Sequence, residues 1–337
     1  MVRNLSLAGL VVSLSVSAAY ADDIVVGAFG GSYAKNVELC HIGPWSKATG
    51  NTATLQQGAS AQLAASIRAT GGNSDFDVVY IDNSLSTQLA KDGLLEKLDV
   101  SKMPNVKSLF DGAMGPDDRF VQFSWGATAI AYNPQVIKQA PTSWADLAKP
   151  EYKGKIAIPD IAGTAGSHFL IAENRMAGGD LTNLDGGFAA IAALKPSSVT
   201  FYTQPDQIIS MFERGEVVIA PYYPDRTAVA AANGAPMAVA YPKEGAIGIN
   251  ITAIIPKGSK HPDLALSYIN YMLSPEGQKC MAENAFVGAN NKDVQLSDKA
   301  KAVVPMEMFT SLYFPDPSTV AANIEAWRRR FQREITR

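Results

Sequence analysis

The chain has 337 residues, a formal net charge of −3, two cysteines and three histidines. A charge so close to neutral gives no electrostatic case for nucleic acid or an anionic membrane surface as a partner. The length is too great for one ordinary hydrophobic core and comfortable for two lobes.

Residues 1–21 have the build of a cleavable secretory signal peptide. Arg3 supplies a positive start, Leu5 to Val16 an apolar run, and Ala19-Tyr20-Ala21 an A-x-A cleavage site. No cysteine follows directly, which argues against a lipid anchor. Beyond Asp22 no apolar run nears the ~20 residues that span a bilayer. The expected location is the periplasm, without membrane insertion. In that oxidising compartment Cys40 and Cys280 have only each other to pair with, so a disulfide is expected. Such a bridge would bring both ends of the chain into one lobe.

From Ile24 the pattern alternates apolar strands with helices. Strands are expected over 24–28, 52–55 and 76–81, with helices around Val37 to Trp45, over 62–69 and over 84–91, the last ending at Gly93. Phe123 to Pro134 reads FSWGATAIAYNP, a strand stopped by a proline that cannot donate to the ladder. Ser143 is placed to cap Trp144-Ala145-Asp146-Leu147, and Pro150 ends that short helix. The same grammar restarts at Lys155, with strands over 156–159, 199–202 and 217–220 and helices from Gly166 and over 206–214. A strand over 245–255 returns the chain, and helices follow over 262–273 and from Ser274-Pro275-Glu276.

This order implies an α/β protein with two mixed sheets flanked by helices and joined by two crossings, near Ala131 and Asn250. The expected division is 22–131 for the first lobe, 132–250 for the second, and 251–337 for the rest of the first with the C-terminal helices. Two crossing strands make a hinge that restricts motion to closure.

Candidate ligand residues cluster after the strands, where open α/β sheets bind. Phe29-Gly30-Gly31-Ser32-Tyr33 and Gly163-Thr164-Ala165-Gly166-Ser167 each lie between a strand and a helix, where free N–H groups favour an anion. Asp82 follows the third strand, and either it or Ser84 also suits a helix cap. Trp125, flanked by small residues, suits a wall for an amine. Pro221-Tyr222-Tyr223-Pro224-Asp225-Arg226 is the densest polar-aromatic cluster. There Asp225 suits an ammonium, and Arg226 a carboxylate or Asp225 itself. The adjacent tyrosines leave a ferric ion as the alternative ligand. His41, His168 and His261 are not spaced like a metal site, and neither an enzyme nor a cofactor is expected.

WGATAI and the TSWADLAKPEYKG stretch at Thr142 to Gly154 resemble the solute-binding proteins of bacterial ABC importers, closest to the polyamine-binding branch. The resemblance runs over nearly the whole chain after the signal peptide. It implies a two-lobed type II periplasmic-binding fold acting as a monomer, with a small-molecule solute and a membrane permease as partners. It also implies ligand roles for Trp125, Asp160 and Tyr223. Where the family tends to offer a tryptophan and an aspartate, this chain has Ile249 and Ile251, and Gly163 stands where a second carboxylate is expected. A site short of carboxylates prefers fewer positive charges, so a 4-aminobutyrate-like amino acid or organic acid stands beside a polyamine as the expected ligand. In that reading Asp225 and Trp125 hold the amine, and the two glycine turns, with Gly31, Ser32 and Ser167, hold the carboxylate.

Overall fold

A computed structural model describes residues 23–303, 309 and 311–337. The signal peptide expected over residues 1–21 lies outside the described residues. The strands are β1 (Asp23–Ala28), β2 (Thr52–Gln57), β3 (Val78–Asp82), β4 (Val121–Tyr132), β5 (Ile156–Pro159), β6 (Ser198–Tyr202), β7 (Ile219–Tyr222), β8 (Ala238–Ala240), β9 (Ile247–Ile254) and β10 (Gly288–Ala289). They join in the order β2-β1-β3-β9-β4-β7-β5-β6, with β8 and β10 also paired to β4.

One strand serves both lobes. β4 runs antiparallel to β9 from Val121 to Thr128, then exchanges that partner for β7 and β8 between Ala129 and Tyr132. Twelve residues make it long enough for two pairings in succession. On one side of this exchange β1 pairs in parallel with β2 and β3; on the other, β5 pairs in parallel with β6 and β7. The expected two sheets are therefore two halves hinged on a shared strand. β3 is buried at every position, as a strand covered on both faces must be.

Helices α1 (Ser32–Val37), α2 (Gly43–Thr49), α3 (Ser60–Ala69) and α4 (Asn83–Lys91) flank the first half. Helices α5 (Thr164–Met176), α6 (Asp185–Leu194), α7 (Pro205–Glu213) and α8 (Pro224–Ala232) flank the second. The first core gathers Val26, Trp45, Tyr80 and Phe123, and the second Trp144, Ile158, Phe169 and Ile219. Ser143 accepts from the Ala145 N–H at 3.1 Å, and its hydroxyl donates to Glu244 at 2.6 Å. That cap thus ties its short helix to the turn before β9.

The last segment divides. α9 (Pro262–Met272) and α10 (Pro275–Asn284) pack on the first core, and α11 (Asp298–Val303) follows. In α12 (Pro317–Phe331), Val320, Ile324, Trp327 and Phe331 pack into the second core instead. The apolar stripe of α12 at helical spacing chose the lobe, and chain order did not. Cys40 and Cys280 form a disulfide with a Cα–Cα distance of 5.4 Å, linking the segment between α1 and α2 to α10 in the first lobe.

Candidate functional site

The carboxyl ends of strands from both halves face one another across a cleft of about 390 Å³. Phe29, Gly31 and Tyr33 follow β1, Gln57 ends β2 and Asp82 ends β3. Opposite them, Gly163 and Thr164 follow β5, Asp206 follows β6, and Tyr223, Asp225 and Arg226 follow β7. Gly126, Ile249 and Ile251 of the shared hinge strands form the apolar floor. The fold delivers most of the polar groups here from chain just after a strand, because chain leaving a parallel sheet has side chains and N–H groups free for other work.

Among the described residues two polar contacts join the lobes across this cleft, and Tyr223 of the second lobe packs against the first core. The Thr164 hydroxyl donates to the Asp82 carboxylate, so the end of β3 meets the start of α5. Arg226 donates to Asp206 at 2.9 Å and to the Gly30 carbonyl at 3.4 Å. Gly31 has φ +69°, which favours glycine, and a Cβ there would meet the Asp206 carboxylate and force that exposed side chain aside.

The charges are unevenly matched. Arg226 is the cation of the cleft and is already paired with Asp206. Asp225 has no such ion pair, and burial pushes its carboxyl up to about 6 while the Arg226 guanidinium draws it back. Burial also raises Asp82, partly offset by the Thr164 and Ser60 hydroxyls. Desolvation penalises the charged form of each, so the cleft holds two carboxylates poised for a cation. Tyr223 is raised by burial, and its hydroxyl accepts the Ala165 N–H at 3.0 Å. The buried Tyr33 hydroxyl, beside Asp225 and Arg226, has no hydrogen-bond partner among the described residues.

The structure brings together Phe29, Gly31, Tyr33, Asp82, Tyr223 and Asp225. Four other expected residues do not line the cleft. Trp125 is 4% exposed on the opposite face of β4 from Gly126, lying against Gly288 of β10 with Phe309 at 5.2 Å between ring centroids. Pairing with β10 put it there, because Trp125 stands opposite Gly288 and its indole packs over that glycine. Asp160 turns onto its own loop and accepts the Ala162 N–H at 2.7 Å. Ser167 donates to the Thr164 carbonyl at 2.9 Å, one turn inside α5. Ser32 opens α1 without a side-chain capping bond. Trp125→Phe is therefore expected to cost about 1–3 kcal/mol of stability and leave solute affinity nearly unchanged. Thermal melts beside calorimetric titration read both.

The two tyrosines differ by position: Tyr222 ends β7 and Tyr223 precedes α8, with their ring centroids 5.7 Å apart. Tyr222 is fully buried, donating to the Pro205 carbonyl at 2.8 Å, whereas Tyr223 faces the cleft. With the Tyr222 hydroxyl committed to the Pro205 carbonyl and outside the cleft lining, Tyr223 alone of the two is offered to the cleft. Among the described residues there is also no group of three or more His, Cys, Asp or Glu side chains placed to hold a metal ion. The glycine-turn donors are partly engaged too, because the Gly31 N–H reaches Gln57 Oε1 at 3.3 Å. His168, depressed by burial to about 3, sits against the Thr128 hydroxyl at 3.2 Å in the hinge. Gln57 and Asp206 were not legible as site residues. Asp206 follows a strand just as Asp82 does, and that rule applied to β6 would have found it.

Residues 73–307 match the family described as "Bacterial extracellular solute-binding protein". The spermidine/putrescine-binding periplasmic protein of Escherichia coli (strain K12) is 28% identical over 291 residues, which are 83% of this chain and 82% of that protein. An Fe(3+)-binding periplasmic protein of Serratia marcescens is 28% identical over 284 residues, 78% of this chain and 80% of that protein. The crystal structure of an ABC transporter protein from Clostridium perfringens ATCC 13124 is 27% identical with a TM-score of 0.73, covering 93% of this chain and 99% of that one.

Proposed function

The chain belongs to the bacterial extracellular solute-binding proteins, and from that premise we propose that it captures a small aliphatic amine between its lobes and presents it to an ABC permease. The observation that carries this reading is the pair of carboxylates, Asp82 buried and Asp225 partly buried, one from each lobe, with their acidity lowered by desolvation and the guanidinium of the cleft already paired. A protonated amine supplies the missing charge and can also donate to the orphaned Tyr33 hydroxyl. The likeness to a spermidine/putrescine-binding relative supports the same class. For a 4-aminobutyrate-like solute, the engaged glycine turns leave Arg226 as the better seat for the carboxylate.

Calorimetric titration with putrescine, spermidine, 4-aminobutyrate and succinate tests the proposal. Binding of at least one amine and rejection of the dicarboxylate is the expected pattern; tight succinate binding with no amine binding would overturn it. The pH dependence has a defined sign. The bound ammonium needs ionised Asp225, whose carboxyl stands at about 6, so affinity should fall as pH drops below that value and level off above it. Binding near pH 6 should release a proton, visible as different heats in buffers of different ionisation enthalpy. A pH-independent affinity from 5 to 7.5, roughly the window of this shift, would count against Asp225 as the amine's partner.

A further inference from the structure

The interlobe space has a second, smaller cavity of about 60 Å³ on the other side of the Asp82–Thr164 contact. Both cavities share Ser60, Asp82 and Thr164, so that contact is the wall between them. Val320, Ile324 and Arg328 of α12 close the smaller one. This helix is rooted in the second core, yet the Gln88 amide of α4 in the first lobe donates to its Ala321 carbonyl. The chain leading into it is stitched to the hinge: the Gly248 N–H donates to the Tyr313 carbonyl at 2.8 Å, and the Tyr313 N–H to the Ala246 carbonyl at 2.9 Å. The Arg175 guanidinium lies over the Tyr313 ring. Asp316 then caps α12 through the Thr319 N–H at 2.7 Å.

We propose that α12 straps one edge of the cleft, so that the lobes open as a one-sided jaw. The Gly31–Asp206 edge moves, and the Asp82–Thr164 edge stays together beneath the helix. The two edges are built for these different duties. At the moving edge the lobes meet through Arg226 and the Gly30 carbonyl at 3.4 Å and through glycine surface at Gly31, contacts made by a guanidinium, a carboxylate and backbone. At the strapped edge, α12 presents Val320 and Ile324 beside Leu85 and Ser84 of α4, so parting would wet apolar surface as well as break the Gln88 bond. Gln88 is thus a positioning residue: by holding α4, whose first turn follows Asp82, it keeps that carboxylate against Thr164. Three chain segments then cross between the lobes, β4, β9 and the run into α12, and the third selects which way the first two bend.

Spin-label distances test this without any solute, so the outcome is independent of whether the amine reading survives. One pair, Lys35→Cys with Gln207→Cys, spans the moving edge on exposed positions, and a second, Lys91→Cys with Ser318→Cys, spans the strapped edge. Gly31→Ala, which sets a methyl into the Asp206 carboxylate, should shift the first distribution to longer distances and leave the second in place. Arg226→Gln, which removes the cation without adding bulk, should act in the same direction and guards against misfolding of the alanine variant. Gln88→Glu, setting a carboxylate against the Ala321 carbonyl, should broaden the second distribution. Equal movement of both pairs in Gly31→Ala would overturn the proposal, as would a second pair unmoved by Gln88→Glu or a first pair unmoved by both cleft variants.

Discussion

Asp225→Asn should weaken amine binding and stabilise the free protein at the same time. Removing one partner of a buried charge pair costs about 2–5 kcal/mol, which is on the order of 30-fold to several-thousand-fold in affinity. The stability effect has the opposite sign for a linkage reason. The carboxyl titrates at 3.8 when unperturbed and at about 6 in the folded protein. Between those values the folded state holds the proton more tightly than the unfolded one, so stability falls as pH rises through the window and stays lower above it. Asparagine carries no charge to desolvate and recovers up to about 3 kcal/mol at pH 7.5. Melting curves at pH 5 and pH 7.5, together with titrations of both proteins, separate the two effects. A variant that binds as tightly as the parent removes Asp225 from the site. A variant that loses both affinity and stability makes it an ordinary structural residue instead. A gain in stability with a loss of affinity marks a residue kept for function against folding.

Replacing both Cys40 and Cys280 by serine should produce the largest stability loss of any change considered. The bridge closes a loop with a sequence separation of 240. Loop-closure entropy puts its stabilisation at up to about 5 kcal/mol, a melting-temperature drop on the order of 10 °C. Reductant should reproduce the loss in the parent and do nothing to the variant. Cys40 is fully buried and Cys280 only partly, so reductant should reach the bridge from the Cys280 side. Affinity should survive, because the bridge lies among the first-lobe helices and neither cysteine lines the cleft. A variant that melts with the parent would mean that α9, α10 and the first core hold the two ends together unaided.

The lobed architecture was legible for identifiable reasons. β5 was read at its observed bounds, because Lys155 and Asp160 bracket a run that is apolar throughout and buried throughout. β1, β3 and β9 came within two residues, each an apolar strand with turn residues beside it. The crossings were read near Ala131 and Asn250, while β4 changes partner between Thr128 and Ala129 and β9 begins at Ile247. The glycine turn at Gly31 and the Asp225 cluster declared themselves by position after a strand. Trp125 was misread because an aromatic among small residues suggests a ligand wall, and the same pattern also arises where an indole packs on a glycine of the next strand, here Gly288. Tyr222 and Tyr223 look equivalent as letters, but the first ends β7 with its hydroxyl on the Pro205 carbonyl and the second lines the cleft ahead of α8.

The sequence by itself determined the alternation of strands and helices, the lobes it builds and the single possible disulfide. Each of these follows from local periodicity or from counting cysteines. Only the tertiary structure decided which carboxylates meet, that Asp82 is held by Thr164 from the other lobe, and that Asp160 turns away to its own loop. It also decided that Asp206 and Arg226 close over Gly31, and that α12 returns to the second core. Those facts depend on which face of a strand reaches the cleft and on contacts between segments far apart in the chain. Local patterning carries neither, because both are set by the pairing register of β4 and β9 and by where the apolar face of α12 finds cover.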